Sequence, residues 1–571
     1  MEMYRWKVLS AQSKKIQEIQ EASYLSRPAA LVLASRGVKP EGAEEFLTPK
    51  LRDLVDPFKL PGSREAAARL WQAIQKNETI LIHGDYDTDG ITASVLMSTV
   101  LSQNGAKVET FLPHRMDDGY GLTPDSIEKA CADHHSLLVT VDCGITSHAA
   151  VKAAAELGID VIVTDHHEPS EELPVAIAVI DPKVATEDDR IRELAGVGVA
   201  FKVCHAFIKY GRENNLGGFS YDLREVMDLV ALGTVADIVP LLDENRCLAK
   251  HGLETLSRQH RPGIRALCDL VGLNGAVCAQ DIAYRIAPRL NAPGRMGDPS
   301  LSMQLLQAPS MAEAFPLAAA LDAENKKRQA LEAETFDRAC QQIDARFNDS
   351  MRAVVVWGDD WHQGVLGIVA ARLVRTYHRP CIVMTMDATG FLSGSGRSVE
   401  GVNLVGVLEK CGHLLERFGG HPMAAGLSLE PRHAEEFAKT FEENVQFVLA
   451  ADEMKPVIEI CGDIGFGEIN EHFLMDLNLL APFGQGNPEP VFLTRHVTAD
   501  RIQPAGRDHT RGVLRDQDGY CIDFIAFNRT PSDFCPPPWD VVYSARLNTF
   551  GGRETPQARI LDFCPSVTFG R

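Results

Sequence analysis

Residues 83–90 read HGDYDTDG, with aspartates at 85, 87 and 89 directly behind the apolar run ILI. Two further apolar runs end in the same way: VTV leads into DCG at Asp142, and VIVT into DHHE at Asp165, His166 and His167. A fourth acid, Asp237, follows the apolar stretch VMDLVALGTVA. Carboxylates and imidazoles converging without cysteine suit a hard or borderline divalent cation such as Mn²⁺ or Mg²⁺. These residues are too many for one tetrahedral ion, whereas two ions roughly 3.5–4 Å apart, sharing one carboxylate, would use them economically. Such a pair brings a bound water to a pKa of about 7 and clamps both sides of an in-line phosphoryl transfer. Without cations, the crowded acids would repel one another and their pKa values would rise. Each motif has a plainer reading alone. An aspartate after a strand commonly caps the next helix, TDHHE could be a capped turn with a hydrogen-bonded histidine pair, and DCG is uninformative. Their joint occurrence behind three apolar runs points to a metal site.

The elements that would position these residues can be read from the apolar runs. ETILI (78–82), KVETFL (107–112), LLVTV (137–141), VIVT (161–164) and AIAVI (176–180) alternate with helix-like segments such as 92–101, 124–133 and 147–157. Continuous apolar runs between helices predict an α/β unit built on a parallel sheet covered on both faces. Ligands in such folds sit beyond the carboxyl ends of the strands, where all these acids fall. Residues 311–347 carry one early proline and a broken apolar period at Leu317, Leu321, Leu331 and Phe336, which predicts a long, partly exposed connecting helix. A second α/β unit begins at RAVVVW and runs to about residue 450. Short alternating stretches broken by Gly, Pro and Asn then predict a small all-β module, a barrel of the oligonucleotide-binding kind. The expected division is an N-terminal segment 1–60, a catalytic unit 61–310, a connecting helix 311–348, a second α/β domain 349–452 and the barrel 453–571.

Composition narrows the function classes. A net charge of −21 argues against a protein that coats DNA, without excluding a local cationic groove. Thirteen cysteines are scattered from Cys131 to Cys564 with no CxxC pair, which predicts reduced thiols and a cytoplasmic protein. The start lacks a signal-peptide pattern, and no run approaches the roughly 18 apolar residues of a membrane helix. No Gly-Lys-Ser/Thr phosphate loop is present. GSGRS (394–398) is read as a small-residue loop whose N–H groups could turn toward an anion beside Arg397, or as a plain turn. WHQGVLGIVAARL (361–373) is read as a helix opening with glycines, suited to phosphate or to close packing. GRDHTRG (506–512) is read as local positive charge for a strand, or as a solvated hairpin loop.

HGDYDTDGIT, TVDCGIT, TDHHE and VADIVP resemble the four motifs of the DHH phosphoesterase superfamily. IAPRLNAPGRMGD (286–298), WHQGVLGIVAARL, GSGRS and FGGHPMAAG (418–426) resemble, within it, the RecJ group of single-strand-specific exonucleases. The likeness covers nearly the whole chain, in the order DHH domain, DHHA1 domain, OB-like barrel. Carried over position by position, it implies metal ligands at Asp87, Asp89, Asp142, His166 and Asp237, with Asp142 bridging and His83 as a further ligand. Asp142, His166, His167 and Asp165 form the implied catalytic set, with His167 facing the scissile phosphate and Asp165 orienting the histidines. Asp85 is either part of this set or a turn-stabilising carboxylate. Thr88 and Ala93 stand where the superfamily more often has Ala and Ser, and neither is expected to touch a ligand. Arg115, Arg289, Ser395 and Arg397 are implied to grip the 5′-phosphate, with Arg295 the runner-up to Arg289, and Gly419, Gly420 and His421 to line the substrate cleft.

The resemblance implies a metal-dependent 5′→3′ exonuclease on single-stranded DNA in recombination and repair, with two Mn²⁺ or Mg²⁺ ions. A monomer with no membrane association, working with a helicase and a single-strand-binding protein, is the implied setting. A cleft too narrow for duplex would explain the choice of single strands, and aromatic stacking would keep binding tolerant of sequence. Two alternatives remain at this level: a phosphodiesterase for short oligoribonucleotides or a cyclic dinucleotide, and an inactive replication scaffold. The scaffold predicts eroded ligands, and none of the matched positions is eroded.

Overall fold

The computed structural model describes residues 4–114, 121–185, 188–217, 221–348, 350–448, 455–548 and 555–566. The chain forms two compact units, one from Val8–Asp322 with Ile460–Arg571 and the other from Met1–Lys7 with Ala323–Glu459. After a short first strand, β1 (Arg5–Val8), the larger unit builds its sheet from β2 (Thr79–His83), β3 (Lys107–Phe111), β4 (Leu137–Thr140), β5 (Asp160–Thr164) and β6 (Ala178–Ile180). These strands lie in the order β3-β2-β4-β5-β6 and every pairing is parallel, as the apolar runs predict. His83 pairs with Thr140 across β2 and β4, so the loops carrying Asp85–Asp89 and Asp142 leave the sheet side by side. Ile80, Ile82, Leu137 and Val139 are fully buried, and each such side chain stabilises the fold by about 1.5–3 kcal/mol. Every residue from Met227 to Val235 of the helix Met227–Ala236 is buried, which explains its apolar sequence on all sides.

The long helix spans Met311–Asp344 and carries Pro316 in its second turn. The boundary between the units falls inside it, after Asp322. Ala314, Ala318 and Leu321 belong to the core of the larger unit, whereas Ala339 and Ile343 belong to a core of the smaller one. Two cores drawing on two stretches of one helix account for its broken apolar period.

The smaller unit carries β7 (Val354–Gly358), β8 (Cys381–Met386), β9 (Leu392–Arg397), β10 (Arg417–His421) and β11 (Ala424–Leu429), in the order β10-β11-β9-β8-β7. GSGRS is therefore not a loop. Its first four residues, Gly394–Arg397, lie in β9, paired with β8 on one side and β11 on the other. Its backbone is engaged in that ladder, leaving Ser395 and Arg397 to act through their side chains. β12 (Val457–Ile460) pairs with β1.

The C-terminal module consists of β13 (Gly462–Asp463), β14 (Phe492–Ala505), β15 (His509–Arg515), β16 (Cys521–Ala526), β17 (Trp539–Asn548) and β18 (Thr555–Pro565). The pairing of β14 with both β15 and β17 closes five of these strands into a barrel. The segment is not all β: a helix at Glu471–Leu480 is inserted before β14. Ile19 and Leu33, from the N-terminal helices Ser13–Ser23 and Arg27–Ser35, share the barrel's core with Phe473, Phe492 and Tyr543. Among the described residues no helix is long and apolar enough to cross a membrane.

Candidate metal centre

The loop after β2 turns directly into the helix Thr88–Gln103, and Asp87 caps it. Its Oδ1 accepts from the N–H groups of Asp89 at 2.9 Å and Gly90 at 3.2 Å, so the plain capping role is real and leaves Oδ2 for other work. Asp89, two residues on in the first turn, is held from a third element. Its Oδ2 accepts from Gly196 N–H at 2.7 Å and its Oδ1 from Val197 N–H at 3.0 Å, at the start of the helix Gly196–Glu213. That N-terminus favours a negative charge. Close approach dictates two glycines here. A Cβ at 196 would stand 2.5 Å from Asp142 Oδ1, and one at 233 would stand 2.5 Å from Asp89 Oδ1. Asn291 Oδ1 accepts from Thr88 N–H at 2.7 Å and from Thr88 Oγ1 at 2.8 Å, tying the loop to the helix Ala287–Met296. Sequence reasoning singled out none of Gly196, Gly233 and Asn291. The available signal was glycine inside an apolar helical pattern, which usually has a packing reason.

Asp142 follows β4 with φ +62° and is buried. Asp165 follows β5 and gathers four donors: Ile145 N–H at 2.9 Å, His166 N–H at 2.7 Å, His167 N–H at 3.1 Å and His167 Nδ1 at 2.7 Å. Asp165 thus holds the ring of His167, whereas it meets His166 only at the backbone N–H. Three groups of side chains each bring ligand atoms within 4.8 Å of one another: Asp142, His166 and His167; Asp89, His166 and Asp237; and Asp85, Asp87 and Asp142. Asp142 and His166 each belong to two groups, so the groups form one continuous cluster. Asp85 is drawn into it, and so is His167. His83 is buried at the end of β2 with Cys143 Sγ 3.9 Å from its Nδ1, and it belongs to none of the three groups. Arg115 lies outside the described residues.

The electrostatics are those of acids crowded out of water. Burial, then Asp87, pushes Asp89 up to about 7. Burial, then Asp89 and Asp87, pushes Asp237 up to about 9. Burial and the surrounding aspartates raise Asp142 well above the carboxylate range. Burial, with His167 nearby, lowers His166 to about 3 and so keeps it a neutral imidazole able to ligate. For His167 burial works the other way, but the bond to Asp165 wins and raises it to about 9. Asp181, after β6, is a further buried acid that the motifs did not indicate, and burial raises it to about 7.

These residues fit divalent cations. Asp142 Oδ1 and His166 Nε2 are buried and 3.0 Å apart, and neither has a hydrogen-bond partner among the described residues. A bound cation would satisfy both atoms and relieve the repulsion among the raised carboxylates.

The other expected substrate contacts fall on separate elements. Arg289 pairs with Asp322 at 2.8 Å and donates to Arg285 O, which engages much of its guanidinium within the protein. Arg295 sits half-buried at the end of the same helix. Arg397 donates to Ser395 Oγ at 2.9 Å. Gly367 belongs to the helix Gln363–Tyr377, and a Cβ there would stand 3.0 Å from Arg397 Nη2 and 3.1 Å from Ser395 Oγ. One glycine of WHQGVLGIVAARL thus makes room for these two side chains. Gly420 and His421 lie on the exposed edge strand β10. The φ of +140° at Gly420 and the approach of Ala424 O demand glycine there.

Comparison with known proteins follows the same division of the chain. The DHH family, N-terminal domain, matches residues 79–234, the DHHA1 domain residues 350–446 and the RecJ OB domain residues 462–562. The single-stranded-DNA-specific exonuclease RecJ of Dickeya dadantii is 37% identical over 563 residues, covering 95% of this chain and 96% of that protein. The crystal structure of RecJ in complex with Mn²⁺ from Thermus thermophilus superposes with a TM-score of 0.85 at 30% identity, covering 99% of this chain and 80% of that one. A structure of RecJ from the same organism in complex with Mg²⁺ gives a TM-score of 0.79 at 28% identity, covering 99% of this chain and 79% of that one.

Proposed function

Because the chain belongs to the RecJ family of single-stranded-DNA-specific exonucleases, we propose that it is a divalent-cation-dependent exonuclease that degrades single-stranded DNA from the 5′ end. The observation that carries the chemistry is the buried Asp142–His166 contact at the centre of the acid cluster. Asp85, Asp87, Asp89, Asp142, His166 and Asp237 are the residues that would hold the cations, with Asp142 common to two groups of ligands. His83, buried at the end of β2, is a further candidate ligand in this reading. When bound, Mn²⁺ or Mg²⁺ supplies an ionised water and neutralises charge building on the phosphodiester.

The chain's own groups do the rest. Asp165 Oδ1 accepts a hydrogen bond from the Nδ1–H of His167, which fixes the ring and favours its protonated form. His167 then donates from Nε2 to a phosphate oxygen, steadying the extra negative charge of the transition state. Water adds to the phosphorus between the first and second nucleotides, and the bond to the first nucleotide's 3′-oxygen breaks. The released 5′-mononucleotide keeps its 5′-phosphate and gains a 3′-hydroxyl, and the shortened strand again ends in a 5′-phosphate. Ser395 and Arg397 hold that terminal phosphate, with Arg295 and Arg115 as further cations for the strand and Gly420 and His421 at its edge. Arg289, paired with Asp322, contributes mainly by holding its helix in place. The scattered free thiols support a cytoplasmic setting. There a monomer would act on single strands opened by a helicase, in recombination and repair.

The test is stepwise digestion in Mn²⁺ of a 5′-labelled single strand beside a blunt duplex and a cyclic dinucleotide. Release of labelled mononucleotide from the single strand alone is expected. Preference for the dinucleotide, or release starting from the 3′ end, overturns the reading.

A further inference from the structure

Tyr284 is 77% exposed, so the face of its ring is open to a stacking partner. It lies in the π-helical turn Ile282–Ile286 that runs directly into the helix Ala287–Met296, and such turns recur at functional sites. Seven residues further on, Asn291 holds Thr88 of the metal loop. Tyr284 therefore lies about two turns before Asn291 on one continuous helical run, with the π-helical turn between them.

In the other direction the helix leads to the barrel. Gln280, four residues before Tyr284, lines a cavity of about 430 Å³ together with Phe483, with Arg546 and Leu547 of β17, and with Lys250, Glu254 and Glu489. Beyond it the guanidinium groups of Arg546 and Arg559 each stand 5.7 Å from the ring of Phe527. The ring of His509 packs edge-on against the same phenyl at 5.0 Å. Phe527 is itself 39% exposed. The larger unit therefore carries an exposed ring on the helical run that reaches the metal loop, a cavity lined by Arg546, and a second exposed ring flanked by that same arginine and by Arg559. A single strand needs rings for its bases and cations for its phosphates.

We propose that Tyr284 is the base-stacking residue that carries the strand on the 3′ side of the cut away from the metal loop and into the groove between Gln280 and Arg546. The inference rests on the nuclease reading above. The stack orders one nucleotide a fixed number of positions from the 5′ end, and it acts on binding rather than on bond cleavage.

The experiment compares the parent protein with Tyr284→Ala and Tyr284→Phe on 5′-phosphorylated strands carrying one 2-aminopurine at successive positions from the 5′ end. Binding is read without divalent cations and digestion with Mn²⁺. Fluorescence is expected to fall at one position with the parent and with Tyr284→Phe, and to remain unquenched with Tyr284→Ala. KM for the intact strand is expected to rise about tenfold in Tyr284→Ala, the size of one lost stack, with kcat changed less than about twofold. An abasic site at the sensitive position should raise the parent's KM similarly and leave that of Tyr284→Ala unmoved. Unchanged KM or retained quenching in Tyr284→Ala overturns the proposal, as does a loss that is the same on abasic and intact strands. In each of these cases digestion by the parent still supports the nuclease reading, whereas that reading falls if the parent itself leaves single strands intact.

Discussion

Asp142 Oδ1 stands 3.0 Å from His166 Nε2 in a buried pocket, and neither atom has a hydrogen bond among the described residues. Folded proteins rarely leave two such atoms unsatisfied side by side, because each loses its water on burial. The neighbouring carboxylates of Asp89 and Asp237 deepen the deficit of positive charge.

Cation removal therefore has a defined effect on stability. Chelation is expected to lower the melting temperature, and Mn²⁺ at a hundred times its dissociation constant to restore about 2.7 kcal/mol. Asp142→Asn removes one of the repelling acids. Its chelated form should melt no lower than the chelated parent, while Mn²⁺ raises its melting temperature little and nucleotide release falls by at least about a thousandfold. Thermal melts with and without metal, beside a digestion assay, check all three. A variant that keeps its turnover would remove Asp142 from the centre of the chemistry.

Gly233→Ala tests the packing that sets Asp89. The added methyl would lie 2.5 Å from Asp89 Oδ1 and from Thr92 Oγ1 in a fully buried helix. Something must shift, and overpacking of this kind costs about 1–3 kcal/mol. The expected signature is a lower melting temperature together with weaker Mn²⁺ binding by calorimetry, since the displaced group is a candidate ligand. Equal metal affinity in the variant and the parent would show that Asp89 does not need this position.

The sheet and its acid-bearing loops were legible because apolar runs of strand length ended in aspartates, and a parallel sheet puts such ends on one rim. What could not be read was how the acids are held. Asp89 is fixed by N–H groups more than a hundred residues away, at Gly196 and Val197, and nothing local to HGDYDTDG signals that contact. GSGRS reads as a loop for a related reason. Glycine and serine have low strand propensity, and β9 forms because β8 and β11 pair with it on both sides. Asp87 shows the opposite case, in which the capping and the metal readings of one residue both fit its two oxygens.

Asp387 gives a pH-dependent test in the turn that feeds β9. Its Oδ1 accepts from Thr389 N–H, Thr389 Oγ1 and Phe391 N–H, and its Oδ2 from Ser393 Oγ at 2.6 Å. Burial raises this carboxyl, but the hydrogen bonds outweigh it and hold the folded-state value at about 2. Since the folded value lies below the unfolded value of about 3.9, the charged group adds stability above about pH 4, and that contribution fades as pH falls through about 2. Asp387→Asn should therefore melt below the parent at neutral pH, and the gap should close as the acid limit is approached. A gap independent of pH would mean that the ionised turn does not stabilise the strand.

Arg397→Ala addresses recognition of the strand end. The guanidinium donates to Ser395 Oγ and to Gly396 O, and the glycine at 367 leaves space over the pair. A phosphate oxygen arriving there would meet a cation and a hydroxyl already held together, so little ordering is required on binding. Losing one charge-assisted contact of this kind costs about 1.5–3 kcal/mol, or roughly ten- to a hundredfold in kcat/KM. The loss is expected on 5′-phosphorylated strands and to be small on 5′-hydroxyl strands, because the missing partner is the terminal phosphate alone. Arg397→Lys should recover part of it, since a single charge remains without the planar fork. Competition digests of the two strand types measure the ratio directly, and an equal loss on both would place Arg397 on the backbone generally rather than at the end.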